Sequence, residues 1–404
     1  MPTLSLTERP RHLHTWSKLL SKRKPVARGC SGKEGTWQPA RQLMADLPDS
    51  VRGAEPMVEP PQGGSTDGLA SDDVSAGRTA VSLKVLSKRL DRYKRTGGLA
   101  LALVLIGLFF NVETQYFGTL ANFYNILLQA SNLAIVAAGL TLVILVGEID
   151  LSVGSVEALA GSVAAILMIN SHVPVVPGVI CALLAAVLIG LINAFLTTKM
   201  KVVSFITTLA MLGIAEGVAN ILTHGQAIEG FAGSYQKIGQ ATIGRAGFPV
   251  PAVIAVVVIG LIYFMLSHTR LGAHMFAVGG SREAAAYAGI RPARIKTIAF
   301  VIGSLTAGIG GVILSARLNA GNGLFGQGDL LSAVAAVVIG GASLSGGVGS
   351  VIGTTIGVLI IATIEDGLVL LNVPDFWQQI VVGGFIVGAV MVDQIAKGIA
   401  KVED

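Results

Sequence analysis

The sequence predicts an all-α polytopic membrane protein of about ten transmembrane helices, some broken or re-entrant, with both termini cytoplasmic. Three observations carry that expectation. Of its 404 residues, 52% are hydrophobic and only 13% charged, about half the charge of an ordinary soluble domain. Residues 1–96 hold 17 of the 29 Lys+Arg and 10 of the 24 Asp+Glu, a net of +7, whereas residues 97–404 hold 12 and 14, a net of −2. From Gly97 onward, apolar runs near the roughly 20 residues a membrane span needs alternate with short polar breaks. The basic balance therefore belongs to the N-terminal tail, so it argues for no nucleic-acid partner. Such hydrophobicity also excludes disorder across the whole chain.

Taken in order, residues 1–83 are polar, carry eight of the 14 prolines and show no sustained periodicity, which predicts a disordered N-terminal extension. Within it, Leu13–Lys24 has the pattern of a short basic amphipathic helix that would touch lipid headgroups, beside the reading of a plain solvated tail. No apolar signal region opens the chain. Residues 84–96 form a basic juxtamembrane segment, with six Lys/Arg and one Asp between Lys84 and Arg95. Residues 97–394 form the transmembrane domain and 395–404 a cytoplasmic tail. Ten spans are predicted, near 97–112, 124–146, 151–169, 175–196, 203–222, 249–267, 297–316, 331–347, 350–371 and 378–394. Pro174, Pro177, Pro249, Pro251, Pro292 and Pro374 all fall at run ends or in breaks, where a missing N–H costs least.

Basic residues orient the spans. With the N-terminus inside, the inside breaks and C-terminal tail hold Lys199, Lys201, Arg270, Arg282, Arg291, Arg294, Lys296, Lys397 and Lys401. The outside breaks hold Lys237, Arg245 and Arg317. Nine against three is a positive-inside asymmetry, and an even number of spans keeps both ends cytoplasmic. Forty-three of the 51 glycines lie in this body. Patterns such as Ala307-x3-Gly311, Gly353-x3-Gly357 and Gly384-x3-Gly388 suit close helix packing. A faint internal repeat links Leu151–Ser155 with Leu344–Ser350, small-residue breaks of the kind duplicated transporter halves carry.

Enzyme chemistry finds almost no support. There is no G-x-x-x-x-G-K-[ST], so the chain has no P-loop of its own. No His/Cys/Asp cluster has metal-ligand spacing, and Cys30 and Cys181 imply no disulfide framework. The run Glu148–Ser155 places two carboxylates between apolar runs, where charge is expensive unless buried in protein or facing water. Asp150 reads as the N-cap of the next helix, and the break also reads as a lining of a substrate path. Glu157, Glu216, Glu365 and Asp366 lie within or beside spans, where a proton relay would place carboxylates; no basic partner is evident in a neighbouring span. In the longest inside break, Ser267–Lys296, Ser281 is a candidate N-cap, Glu283 suits the first turn and Gly289 a C-terminal stop. That predicts a cytoplasmic helix of about three turns over Ser281–Ile290.

With these residues located, the chain resembles the permease subunits of ABC importers for monosaccharides, the ribose/xylose/galactose class. The matching runs are Gly147–Ser155, Val203–Leu212, Ala277–Ile290, Val338–Ser350 and Asp366–Gln379. The E-I-D-L-S-V-G-S run and the Asn372–Gln378 run look most like the xylose permease. The resemblance covers about residues 97–394 and leaves the N-terminal tail outside. It implies a multi-pass protein of the bacterial inner membrane, working as a homodimer or heterodimer of permease subunits. Its further partners would be a cytoplasmic ABC ATPase that uses ATP, so that no cofactor sits on this chain, and an extracytoplasmic sugar-binding protein that carries most of the specificity.

On that resemblance, Ser281, Arg282, Glu283, Ala284, Ala285 and Gly289 would form the helix that couples to the ATPase. The translocation path would be bordered by Glu148, Asp150, Ser152, Gly154, Ser155, Ser345, Gly346 and Gly347. Two alternatives stand beside it: a proton-coupled secondary transporter using Glu148, Asp150, Glu365 or Asp366, and a membrane scaffold that transports nothing.

Overall fold

The computed structural model describes residues 97–244 and 247–400. The predicted extension over 1–83, the basic segment 84–96, Arg245 and residues 401–404 lie outside the described residues. Each predicted span falls on a helix for at least part of its length. They are α1 (Gly97–Glu113), α2 (Leu120–Leu145), α3 (Val153–Ala165, continued by a π turn over Ile166–Asn170), α4 (Val175–Thr198) and α5 (Ser204–Thr223). After a short helix α6 (Gly233–Gln240) come α7 (Val250–His268), α8 (Arg270–Gly280), α9 (Arg282–Tyr287) and α10 (Pro292–Leu318). The chain ends with α11 (Gln327–Ile339), α12 (Val351–Leu370) and α13 (Asp375–Ala400). The protein is an all-α polytopic membrane protein. Its only strands among the described residues are two-residue ladders, β1 (Ile228–Glu229) with β4 (Ala320–Gly321) and β2 (Thr242–Ile243) with β3 (Phe248–Pro249).

Seven helices among the described residues are long and apolar enough to cross a membrane alone; Gly97–Glu113, Gln327–Ile339 and the apolar part of α13, Phe376–Gly388, are shorter. The run at 331–347 is one of the spans expected to be broken, and it is: its helix α11 has 13 residues, about 20 Å at 1.5 Å per residue against a hydrocarbon core of about 30 Å. Glycines cause this. Gly340 to Gly349 form a bent break, in which the N–H of Gly341 donates to Val338 O (2.9 Å) and that of Ala342 to Val337 O (3.1 Å), closing the helix in a Schellman motif.

Helix α10 runs through the middle of the bundle against α2, α3 and α4. Its small residues allow this. A Cβ on Gly308 would lie 2.6 Å from that of Ala186 on α4, and one on Gly303 3.0 Å from Val143 on α2. Helices α2, α3, α10 and α12 are mostly buried, whereas α4, α5 and α7 expose Leu184, Ile206, Val256 and similar side chains. In water such a surface would be unstable; in lipid it is the solvated face. Of the small-residue patterns, Ala307-x3-Gly311 packs on α3 and Gly353-x3-Gly357 on α11, while Gly384 and Gly388 meet nothing within 4 Å.

The packing of α10 antiparallel to α2 and α4 divides the bundle into two ends. One carries the basic breaks around Lys199, Arg270 and Lys296, and is called the basic end below. The opposite end carries α6 and the ladders. There Tyr235 is fully buried and donates to Val312 O (3.1 Å) beside Ser315 Oγ (2.7 Å), and burial pushes its phenol up from its ordinary pKa.

Candidate functional site at the basic end

The stretch between α2 and α3 holds the first expected site residues. Helix α2 stops because Gly147 takes a left-handed conformation (φ 75°). Its N–H donates to Ile144 O (2.9 Å) and that of Glu148 to Val143 O (3.1 Å), a second Schellman motif. The following backbone is not helical; side chains of α5 satisfy it, and one from α4 holds the Ser152 hydroxyl. Ser204 Oγ accepts from the Ile149 N–H (3.3 Å), and Thr208 Oγ1 donates to Ile149 O (3.2 Å). Asn193 Nδ2 donates to Ser152 Oγ (2.9 Å). Buried backbone groups need such partners.

The expected N-cap is corrected. Ser152, not Asp150, is the N-cap residue of α3, and its side chain makes no capping bond. Asp150 lies two residues further back, too far to reach the free N–H groups of the helix. Its Oδ1 instead accepts from the Ser152 N–H (2.8 Å) and hydroxyl (2.6 Å). Asp150 and Ser152 are fully buried, and Gly154 and Ser155 are buried in the first turn of α3. In this conformation the expected path residues of the first break are closed inside protein.

Glu148 is paired. Its Oε1 meets the Lys296 ammonium, and the two residues are 8% and 7% exposed. Sequence reasoning placed Lys296 in a break by charge sign and missed the pair, because the partners are 148 positions apart.

The second break brings Gly346 and Gly347 to the same place, with Ser345 exposed beside them. The Gly347 N–H donates to Leu145 O (2.9 Å). A Cβ on Gly346 would lie 2.8 Å from Gly147 Cα, and one on Gly279, at the end of α8, would overlap the Leu145 carbonyl oxygen. Three backbones thus meet where only glycine fits.

Helix α9 follows at once. Ser281 is its N-cap, its hydroxyl accepting from the Ala284 N–H (3.2 Å). Gly289 (φ 82°) ends it as expected: its N–H donates to Ala286 O (3.0 Å) and that of Ile290 to Ala285 O (3.0 Å). The helix proper is six residues, Arg282–Tyr287, not about three turns, because the Ser281 cap and the Schellman closure at Gly289 take up the other positions of Ser281–Ile290. The break also holds α8, which was not predicted. Ala285 is buried against the same apolar cluster as Val146, Val278 and Ile295, while Arg282, Glu283, Ala284, Ala286 and Tyr287 are exposed.

Towards the other end lies a second polar network that the sequence only partly disclosed. Asn132 Nδ2 donates to Glu157 Oε1 (2.5 Å) and to Asp329 Oδ2 (2.8 Å), with Arg317 in electrostatic range of both carboxylates. The reading of Glu157 as lacking any basic neighbour is corrected accordingly. Ser332 donates to Glu365 (2.8 Å), and Asn122 and Asn125 donate to Asp366 (2.7 and 3.2 Å). Glu216 lies half-buried on α5, in neither network. Asp329, Asn132 and Arg317 were missed because single polar residues in apolar runs give no spacing signal.

The family model for the permease component of the branched-chain amino acid transport system matches residues 122–390, which contain both breaks, α9 and the polar network. The chain belongs to that family. Among curated relatives, the permease is 39% identical to the ribose import permease protein of Bacillus subtilis, over 50% of this chain and 63% of that protein. It is 36% identical to the L-arabinose ABC transporter permease protein of Azospirillum brasilense, over 57% and 67%. It is 37% identical to a xylose transport system permease protein of Haemophilus influenzae, over 51% and 63%. The matches thus span about two thirds of the relatives' own length. No solved structure matches the chain. The resemblance to permease subunits of monosaccharide importers is borne out, and the permease is a multi-pass inner-membrane protein.

Proposed function

We propose that this permease is the membrane-spanning subunit of an ATP-binding-cassette importer that carries a monosaccharide, xylose or a similar sugar, inward. The observation that carries the reading is the double attachment of α9. Gly279 and Gly347 hold the segment before it to the end of α2, and Lys296, after it, is bound to Glu148 in the break that follows α2. A short exposed helix so held can pass a push from a bound protein straight to residues 146–152.

In this reading the basic end is cytoplasmic, both termini lie there, and α1, α11 and α13 complete about ten membrane helices. The exposed face of α9 docks on a cytoplasmic ABC ATPase, and a sugar-binding protein delivers substrate at the opposite end. A second copy of the permease completes the path. Binding and closure of the ATPase move α9, and the two breaks part to let sugar pass. Relatives named for ribose, arabinose and xylose support a sugar over an amino acid, and they lend a proton-coupled carrier no support.

The test is reconstitution with the ATPase and binding protein in vesicles, measuring uptake of D-ribose, L-arabinose, D-xylose and L-leucine. ATP-dependent sugar uptake is expected. Uptake driven by a pH gradient without ATP would refute the reading, and uptake of leucine alone would refute the sugar.

A further inference from the structure

At the end opposite α9, a cleft of about 360 Å³ opens between the first turn of α11, the last turns of α12 and the first turns of α13. Gln327, Asp329, Ser332, Glu365, Gln378 and Gln379 converge on it from these three helices. Two of them are held in place by hydrogen bonds. Asn132, buried beneath the cleft, holds Asp329 Oδ2 (2.8 Å), and Ser332 holds Glu365 Oε1 (2.8 Å). Asp329 and Glu365 are only half-buried, so a ligand in the cleft can reach them.

The chemistry of the lining selects its ligand. Carboxylates accept hydrogen bonds, and glutamine amides both donate and accept. Together they match adjacent hydroxyls, each of which donates once and accepts twice. Leu331 and Val382 add a small apolar wall. Among the described residues, the lining contains no Lys, Arg or His. Arg317, the nearby cation, is already shared by Glu157 and Asp329. The carboxylate of an amino acid would therefore face like charge with only uncharged glutamine amides to receive it. A neutral polyhydroxyl compound meets no such penalty.

We propose that this cleft is a hydroxyl-reading subsite that receives a neutral monosaccharide at the outer mouth of the permease. The proposal rests on the importer reading above, and it gives the Asn372–Gln378 run a role as the entrance to α13. It also assigns the permease a share of the selection otherwise left to the binding protein.

The test uses the full permease with its ATPase and binding protein in vesicles, carrying Cys30→Ser and Cys181→Ala. Gln379→Cys, at the exposed rim, is reacted with a membrane-impermeant maleimide. Whichever pentose the parent imports should slow labelling several-fold, and L-leucine should not. In a second arm, Glu365→Gln and Ser332→Ala should each cut sugar uptake about tenfold, the scale of a lost charged hydrogen bond. ATP hydrolysis stimulated by the binding protein should persist, which a misfolded permease would not show; where it is lost, the labelling arm decides. Labelling insensitive to an imported sugar, or both variants importing at the parental rate, overturns the subsite alone. Import of leucine together with protection by leucine overturns both the subsite and the sugar reading.

Discussion

Replacing Lys296 by Met should destabilise the permease far more than a typical charge removal. Glu148 and Lys296 are 8% and 7% exposed, so neither has water at hand to solvate it if the other is removed. Breaking a buried pair from one side costs about 3–5 kcal/mol, because a charge is left buried without a partner. An exposed pair would cost about 0–1 kcal/mol. Glu148→Gln should cost a similar amount, since it strands the lysine. The double variant Glu148→Gln/Lys296→Met buries no charge and should recover most of the loss. The double-mutant cycle therefore has a large coupling energy, as contacting residues require. The assay is SDS-induced unfolding of the detergent-solubilised permease followed by circular dichroism, run on all four proteins. A single variant losing less than about 1 kcal/mol, or a double variant no more stable than Lys296→Met, would refute the argument that the pair is closed off from water.

Three further outcomes follow from the same region. Gly279→Ala should cost about 1–3 kcal/mol or more by overlap with the Leu145 carbonyl, whereas Gly280→Ala, with nothing within 4 Å of its new Cβ, should keep parental stability; equal melting of the two would remove the junction from the argument. Tyr287→Ser alters a side chain 93% exposed, so the fold should persist while capture of the partner ATPase weakens, and Ala285→Glu should unfold the permease itself because Ala285 is 4% exposed; unchanged capture with Tyr287→Ser counts against docking at α9. Asp150→Ala removes the acceptor for both Ser152 groups and should lower transport with a stability loss of about 1–3 kcal/mol, while Asp150→Asn keeps an acceptor and should restore much of it; identical uptake by both would show that the hydrogen bonds are not what matters.

The helices were legible because lipid enforces a simple rule: every buried backbone group is satisfied within the helix, so apolar length and helix coincide. The ends were legible where local chemistry decides them, as at Ser281 and Gly289. What the sequence hid is pairing across distance. Glu148 and Lys296 each look like an isolated charge in a break, and only the antiparallel return of α10 beside α2 joins them. Asp150 was misplaced by two residues because a carboxylate before a helix suggests a cap, while here the Ser152 N–H and hydroxyl lie nearer to it than any free N–H of α3. Ala285 was expected only as a member of the coupling helix; its burial in the same apolar cluster as Val278 and Ile295 puts it on the face of α9 turned to the bundle, a placement that six residues are too few to reveal by periodicity. The cleft at the opposite end was invisible for a related reason, since its six polar residues come from three helices with no common spacing.

The attachments of the 146–152 break differ in stiffness, and that difference gives a direction to its motion. On the side of α9, a buried ion pair and a backbone contact that admits no side chain hold it. On the side of α4 and α5, it is held by the neutral bonds of Ser204, Thr208 and Asn193, each worth about 0.5–1.5 kcal/mol net. Neutral bonds of this kind exchange readily for bonds to water or to sugar hydroxyls, whereas the ion pair cannot open without stranding a charge. In the proposed importer, a displacement of α9 therefore carries Gly147 and Glu148 with it and parts the break from α4 and α5 first. The groups then uncovered are the Ile149 peptide, Ser152, Asn193 and Thr208, with the Asp150 carboxyl bonded behind Ser152; these are hydrogen-bonding groups without a cation, a lining that suits the hydroxyls of a neutral polyol.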